Sequence, residues 1–451
     1  MIFLLTALII VVFILVLLFN KKNILEPSTI FAFSFVPLLV MASINYYNYD
    51  LNIGTNTFFV ILLGVIEFVL ICQITKHFIR KTKPHNEKKE IKNESKSLEK
   101  VIEISNLSKV FLLLFVIVSS LIYLYFVVKA VGGSFNSLGE ISAAISKFDS
   151  LLKFSNNAPH MPFIVSNLSF LITGAGYWFI YVVINNLIIE KKIRILDAAI
   201  IITILLSTFL SGSRTTSFFM IIAAIVFYLY LSSQHKKFNK KHIKILAIII
   251  CSFILLFAPL AKLLGRDVRT NYFEYISVYC GAEVKNLDIF LNDEKFEKKN
   301  NIWGSQTFYH GIAAVGRKIG SDWYKPYQLD LPFQSINGKS LGNVYTTFYP
   351  YIYDFGYIGE AILVAIMAFV SQLIFEKMNM NKKGRVNKWL LLYAIVYTCL
   401  LLSFFSNKFY ESLINTAIIK YIIAWFICDW VFIKTCRIKF RKKTLDEKVG
   451  S

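Results

Sequence analysis

The chain is poor in charge for its length. Of its 451 residues only 17% are charged and 56% are hydrophobic, whereas soluble proteins carry about 25% charged residues. Uncharged apolar runs of about 20 residues, the length of a helix that crosses a bilayer, recur along the sequence. These features exclude an ordinary soluble protein. They predict an all-α fold, a polytopic membrane helix bundle in which residues 1–451 form a single transmembrane domain.

Metal-binding and disulfide patterns are also lacking. The six cysteines show neither metal-ligand spacing nor a disulfide framework, and no HExxH motif accompanies the six histidines. We therefore predict no metal and no cofactor. The chain opens with Met1-Ile2-Phe3-Leu4 and has no basic segment of a cleaved signal peptide there. The first apolar run is accordingly predicted to be a retained membrane helix.

Eleven membrane spans are predicted from the apolar runs. Lys and Arg are concentrated in alternate connections, which by the positive-inside rule places the N-terminus outside and the C-terminus in the cytoplasm. The net charge of +21 then reports membrane topology, so nucleic acid is not expected as a partner. The spans lie near residues 2–19, 29–45, 57–75, 108–130, 162–189, 195–211, 216–232, 244–263, 356–375, 388–405 and 412–433.

Three connections between the spans are longer than turns. Residues 76–107, rich in Lys, Glu and Asn, are predicted to be a flexible cytoplasmic loop held near anionic lipid. Residues 131–161 and 264–343 are predicted to be external loops, and the second is large enough to suggest a function. Within it, apolar residues recur at helical spacing from Tyr272 to Tyr279 and from Phe308 to Ile319. Short amphipathic helices are expected there.

The turn Ser211–Thr216 places an arginine inside a long apolar tract. The guanidinium of Arg214 stays charged at any relevant pH and is costly in lipid, so it must face an interface, a water-filled cavity or an anion. Small residues beside it offer hydroxyl and backbone N–H groups, including those of Ser213. We predict a tight external turn between two spans, with Arg214 facing an anionic substrate.

Three more arginines, Arg266, Arg269 and Arg317, fall in the predicted external loop. The planar fork of arginine suits phosphate and pyrophosphate better than the point charge of lysine does. We predict that these residues, with Arg214 and Ser213, bind a pyrophosphate at the outer membrane surface. The alternatives are interfacial snorkelling and an Arg266–Asp267 surface pair.

Three side chains are candidates for a general base. His310 lies in the external loop and titrates near neutral pH, although it could equally be a surface histidine on an amphipathic helix. Asp354 lies close to the start of the ninth span. Glu360 lies just inside that span, where a carboxyl group is costly in free energy unless it has a functional role or a partner.

Tyrosines are concentrated in residues 343–360, which lead into the ninth span. Tyr345, Tyr349 and Tyr351 are predicted to stack on sugar rings, and an aromatic belt at the membrane surface is the alternative. Two further charges, Glu67 and Lys420, lie inside spans at similar depth and are predicted to pair, with a proton relay as the alternative.

Two motifs and the layout around them resemble the Wzy-type polymerases, also called oligosaccharide repeat-unit or O-antigen polymerases. One motif is the Ser-Gly-Ser-Arg turn at 211–214, and the other is the run Tyr-Thr-Thr … Asp-Phe-Gly … Gly within 343–360. The layout is a long external loop before a late span. This similarity covers nearly the whole chain.

The resemblance implies a metal-independent glycosyltransferase in the bacterial plasma membrane, with its active site facing the exterior. Such proteins join oligosaccharide repeat units carried on undecaprenyl pyrophosphate into O-antigen, capsule or exopolysaccharide. The resemblance also implies a flippase and a chain-length regulator as partners. It carries the pyrophosphate-binding role to Arg214, and more loosely to Arg266 and Arg269, but it assigns no base.

The expected reaction is a single displacement with inversion at the anomeric carbon, in which the growing chain moves to a new lipid-linked unit. Three other classes of protein stay open. One is a polysaccharide ligase, another is a flippase or other transporter, and the last is a membrane scaffold. No internal repeat supports a transporter.

Overall fold

The computed structural model describes residues 1–82, 101–154, 159–212, 214–234, 272–292, 303–319, 329–380 and 386–434. Within them the chain is mostly helical, and eight helices are long and apolar enough to cross a membrane. The protein is therefore a membrane helix bundle, as its composition predicts.

The helices alternate with short connections along the described chain. They are α1 (Ile2–Phe19), α2 (Pro27–Ile44), α3 (Thr55–Lys81), α4 (Asn106–Ala130), α5 (Leu138–Phe154), α6 (Phe163–Glu190), α7 (Ile195–Phe209), α8 (Thr215–Gln234), α9 (Tyr272–Tyr279), α10 (Ala282–Asn292) and α11 (Tyr309–Ile319). The antiparallel strands β1 (Gln334–Ile336) and β2 (Lys339–Gly342) follow. The chain continues with α12 (Phe348–Met380), α13 (Lys388–Leu401), α14 (Lys408–Leu413) and α15 (Thr416–Cys428), and a π-helical segment, Asp429–Lys434, extends the last helix.

The predicted spans correspond closely to these helices. Eight spans match the long helices, and two more match the shorter apolar helices α7 and α13. The remaining predicted span, 244–263, lies outside the described residues. The count of eleven and the outside position of the N-terminus stay predictions.

The two predicted loops at 76–107 and 131–161 are partly helical. Helix α3 continues to Lys81, because basic residues in a last turn complement the helix dipole; residues 83–100 lie outside the described part. The segment 131–161 contains α5, which packs its apolar side on α4 through Val128, Ile145 and Phe148. That segment is therefore built around a helix.

The predicted large loop 264–343 has more structure than its sequence suggested. Its two expected amphipathic helices are present as α9 and α11, but α10 and the β-hairpin were not predicted. The hairpin turn is Asn337-Gly338, with φ of 49° and 75°, the pairing of residues that a tight two-residue hairpin turn requires. The all-α prediction thus holds except for this hairpin.

The described contacts group the chain into two compact units. The first contains α1–α3, α9–α12, the hairpin, α14 and the end of α13. The second contains α4–α8, the beginning of α13 and most of α15. The prediction of a single transmembrane domain stays a prediction.

In the first unit, α3 and α12 pack along each other. Near the end of α3, Lys76 lies 2.7 Å from the buried Glu26 in the α1–α2 turn, and the half-exposed Arg80 lies 3.1 Å from the buried Glu376 of α12. Because a buried charge without a partner is costly, these pairs fix the α1–α2 turn and α12 against α3.

In the second unit, α6 is buried along most of its length. Gly174 permits close packing on α15, since an added Cβ would lie 2.7 Å from the Cβ of Ala424. A buried ion pair, Lys109 with Asp197 at 2.5 Å, joins α4 to α7. These contacts hold α6 against α15 and α4 against the first turn of α7.

Candidate functional site

The turn between α7 and α8 is tightly constrained. Gly212 has a φ of +75°, and an added Cβ would overlap the Cβ of Asp149 and lie 3.0 Å from the carbonyl oxygen of Ile145. Both of those residues belong to α5. The chain can therefore turn here only with a glycine, because no side chain fits and the left-handed conformation disfavours one.

Arg214 follows this turn directly and is 9% exposed. Its carbonyl oxygen accepts the N–H of Phe218 at 3.1 Å, so the residue immediately precedes the first turn of α8. Ser213 lies outside the described residues. The structure thus places the guanidinium-bearing residue at the junction of two apolar helices, as the sequence predicted.

Hydroxyl groups line the helix contact behind this turn. The hydroxyl of Thr208 bonds that of Ser217, and the Ser211 hydroxyl donates to the Thr208 carbonyl at 3.0 Å. A cavity of about 10 Å³ is lined by Ser120, Tyr123, Ser169, Thr173, Ser207 and Thr208, among others. Such a volume holds about one water and no substrate group. These contacts support the turn.

The tyrosine-rich segment is interrupted by Gly356, whose φ of 67° and ψ of −170° break α12 into a short first part and a long second part. Tyr345, Tyr349 and Tyr351 all lie buried before this break. The Tyr345 hydroxyl donates to the Pro332 carbonyl at 3.0 Å, and the Tyr349 hydroxyl donates to the Asp330 carbonyl.

These tyrosines form part of the framework. The rings of Tyr345 and Tyr349 stack at 4.3 Å, and Tyr351 donates to the side-chain oxygen of Asn407 at 3.0 Å. Burial raises the pKa of Tyr345 to about 12. The hydroxyls of these tyrosines thus bond groups of the protein, and the sugar-binding role stays a prediction.

The Asp354 carboxylate anchors a loop. It accepts the backbone N–H of Gln306 at 3.0 Å and that of Thr307 at 2.6 Å. The Thr307 hydroxyl donates to the Pro350 carbonyl, and Asn407 donates to the Thr307 carbonyl. Asp354 therefore ties the segment 306–307 to the start of α12, and Thr307 links both to the segment that contains Asn407.

Glu360 lies in the first turn after the Gly356 break and is 7% exposed. Its Oε1 atom has no hydrogen-bond partner in the described part of the chain. It faces Gly64 of α3, where an added Cβ would lie 3.1 Å from Oε1 and 2.5 Å from a ring carbon of Phe348. The carboxyl also interacts electrostatically with Glu67, one turn further along α3. Two carboxyl groups thus share this region.

The predicted partner of Glu67, Lys420, has its ammonium 4.2 Å from the centre of the Phe170 ring. Their pairing stays a prediction. His310 is exposed in the first turn of α11, next to Gly311, which packs on Ile414. His310 is therefore open to solvent.

The other predicted anion-binding residues are only partly described. Arg266 and Arg269 lie outside the described residues, and only the backbone of Arg317 is described, within α11. Asp354, Glu360, His310 and the three tyrosines all belong to the first unit, and Arg214 belongs to the second.

Within the described ranges, no three His, Cys, Asp or Glu side chains come together as ligands for a metal ion.

Two functional candidates escaped the sequence reasoning. Asp149 lies against the arginine turn although it is far away in sequence, and only the helical spacing of Ile141, Ile145 and Phe148 could have placed it there. Glu283 of α10 is fully buried, and neither of its carboxyl oxygens has a hydrogen-bond partner in the described part of the chain.

The burial of Glu283 raises the pKa of its carboxyl well above the usual value. The backbone N–H groups of Gly281 and Glu283 itself oppose this rise, but they do not reach hydrogen-bond geometry. Burial therefore favours the protonated form of this carboxyl over the charged form.

Comparison of the chain with protein-family models, with curated proteins and with solved structures found no match. The resemblance to Wzy-type polymerases stays a prediction. What the chain does must be argued from Arg214 and from the carboxylates described above.

Proposed function

We propose that this chain is a bacterial membrane glycosyltransferase that polymerises oligosaccharide repeat units carried on undecaprenyl pyrophosphate. The observation that supports this most is Arg214, a nine-tenths buried arginine at a glycine turn between two apolar helices. Its position suits a lipid-linked anion better than a soluble one, because both the carrier tail and the flanking helices are apolar. The proposed site faces the exterior of the plasma membrane.

Arg214 binds the donor pyrophosphate in this proposal. A guanidinium fork forms two parallel hydrogen bonds to a phosphate group and stays charged throughout the reaction. It neutralises the negative charge that grows on the leaving pyrophosphate as the glycosyl–phosphate bond breaks. Arg266, Arg269, Arg317 and Ser213 are proposed to bind the same group or that of the acceptor.

Glu360 is the proposed general base. Asp354 already accepts two backbone N–H groups, whereas Glu360 has a carboxyl oxygen without a bond in the described part of the chain. The acceptor hydroxyl gives its proton to Glu360, its oxygen bonds to the anomeric carbon, and undecaprenyl pyrophosphate leaves with the electron pair. His310, exposed on α11, is the alternative base.

The experiment compares Arg214→Ala and Arg214→Lys with Arg194→Ala in cells that depend on this protein for polymer. Arg194 is a matched control, since it lies at the other end of α7 with an exposed side chain beside Glu190. Arg214→Ala should lower polymer about 100-fold or more, and single lipid-linked units should accumulate. Arg214→Lys should also fail, because the fork is lost.

The Arg194→Ala strain should make normal polymer. Normal chain lengths from Arg214→Ala at wild-type protein level would contradict the proposal. Accumulation of finished polymer on its lipid carrier would indicate a ligase instead.

A further inference from the structure

The strongest further observation concerns Asp149, on the helix that covers the arginine turn. Helix α5 is fixed on α4 by an apolar cluster in which Val127, Val128 and Val131 meet Ala144, Ile145 and Phe148. Because Phe148 and Ile145 are held by this cluster, the neighbouring Asp149 is held too. Its Cγ atom would lie 3.1 Å from a Cβ added at Gly212.

Two opposite charges are therefore buried in one small region. Asp149 is 8% exposed and Arg214 is 9% exposed. Asp and Arg are almost never buried to this degree unless they are paired, because the loss of hydration is costly. The burial of each residue is explained most simply by the other.

The distance permits this pairing. Consecutive Cα atoms lie 3.8 Å apart, so the Cα of Arg214 is at most about 7.6 Å from that of Gly212. Asp149 is in contact range of Gly212 itself. An arginine side chain, with three methylenes before its guanidinium, spans such a gap.

Two lysines of α4 and α5 whose side chains are described, Lys129 and Lys147, contact other groups. Lys147 donates to the carbonyl oxygen of Val131 at 3.1 Å, and Lys129 lies over the ring of Tyr125. Among the described side chains near the turn, Arg214 is thus the cation best placed for Asp149.

We propose that Asp149 is a positioning residue that holds the Arg214 guanidinium in the orientation that binds pyrophosphate. A guanidinium has five N–H donors, and a carboxylate uses two of them. The remaining donors stay available to the phosphate oxygens. Without the carboxylate, the long side chain would turn toward water or lipid headgroups instead.

This proposal deepens the proposed function and rests on it for the role of the pair. The pairing itself is tested without any activity. Thermal unfolding in detergent is measured for Asp149→Asn, Arg214→Gln and the double variant. Each single change should lower Tm, and the double change should lower it by clearly less than the sum. Additive losses would overturn the pairing.

The positioning role needs a second measurement that a purely structural pair would not affect. The rate of polymer growth on a purified lipid-linked repeat unit is compared for Asp149→Asn, Asp149→Glu and Asp197→Asn, well below their melting temperatures. Asp197 is the matched control, since it forms a buried ion pair with Lys109 in the same unit.

Asp149→Asn should raise KM for the lipid-linked unit at least tenfold, Asp149→Glu should restore part of this loss, and Asp197→Asn should leave KM unchanged. If Asp149→Asn keeps the wild-type KM while the unfolding cycle shows coupling, the pair is structural only and the positioning role is wrong. If the wild-type protein makes no polymer, the proposed function fails, and the unfolding cycle still decides whether the pair exists.

Discussion

At the scale of single residues, the proposed function depends on a few side chains whose surroundings restrict their conformation or their bonding. Gly212 has no room for a Cβ, and Arg214 is buried two residues later. Asp354 and Glu360 lie six residues apart in sequence but have different hydrogen-bonding surroundings. One carboxylate is fully engaged by backbone N–H groups, and the other has an oxygen without a bond in the described part of the chain.

Gly212→Ala is expected to be more destabilising than Gly132→Ala. Both glycines have positive φ, 75° and 66°, so each alanine has a backbone cost of about 1–2 kcal/mol. At Gly132 nothing lies within 4 Å of the added Cβ, whereas at Gly212 it would overlap Asp149. Overpacking there adds about 1–3 kcal/mol.

Thermal unfolding in detergent measures the difference between the two variants. Equal losses of stability would show that α5 does not pack on the turn as described.

Glu360→Gln and Asp354→Asn should separate catalysis from folding. Glu360→Gln keeps the shape of the side chain and removes the base, so polymer growth should fall about 100-fold or more while Tm changes little. Asp354→Asn weakens two charge-assisted bonds and should lower the free energy of unfolding by about 2 kcal/mol.

Both variants are assayed for polymer growth and for thermal unfolding. If Glu360→Gln keeps full activity, Glu360 is not the base, and His310 becomes the proposed base.

At the scale of helices and strands, apolar runs were sufficient to predict all eight described helices that are long enough to cross a membrane. The helices α9 and α11 were found from helical spacing alone. Helix α10 was missed because its polar residues look solvent-exposed in sequence. In the structure Asp288 accepts the N–H of Gly54 and the hydroxyl of Thr57, and Asn286 donates to the Val344 carbonyl. Such partners are distant in sequence, so no local pattern shows them.

The candidate site was predictable only in part, for the same reason. The position of Arg214 at a turn follows from its neighbours in sequence. The acid beside that turn and the carboxyl beside Glu360 depend on how α5 packs on Gly212 and how α3 packs on α12. The hairpin, by contrast, has a local sequence pattern that indicates it, because an Asn-Gly pair lies between its two short strands.

The burial of Glu283 in helix α10 should make the stability of the protein depend on pH. Glu283 has a pKa well above the usual value near 4.5, so the folded state binds a proton that the unfolded state releases. Stability should therefore fall as pH rises above about 4.5, until the pH passes the raised pKa. Glu283→Gln should remove this dependence and be more stable than the wild type at high pH.

The control is Asp288→Asn, which removes the charge from the acceptor of the Gly54 and Thr57 bonds, weakens them and should be less stable than the wild type. Tm is measured from pH 5 to pH 9 for all three proteins. A wild-type slope that persists in Glu283→Gln would assign the pH dependence to other groups.

At the scale of the whole molecule, the protein is a membrane helix bundle whose described helices form two compact units. One unit holds the arginine turn and the other holds the carboxylates and the hairpin. Buried ion pairs occur in each unit, Lys76 with Glu26 in one and Lys109 with Asp197 in the other. Each unit is thus fixed by paired charges as well as by apolar packing.

The proposed polymerase is tested most directly by one measurement on the whole protein. Purified protein is incubated with an undecaprenyl-pyrophosphate-linked repeat unit, without other enzymes, and the products are separated by length. A ladder of chains one repeat apart is expected for the wild type, and no product beyond the single unit is expected for Arg214→Ala. An equal ladder from both proteins, or no ladder from correctly folded wild-type protein, would contradict the proposed function.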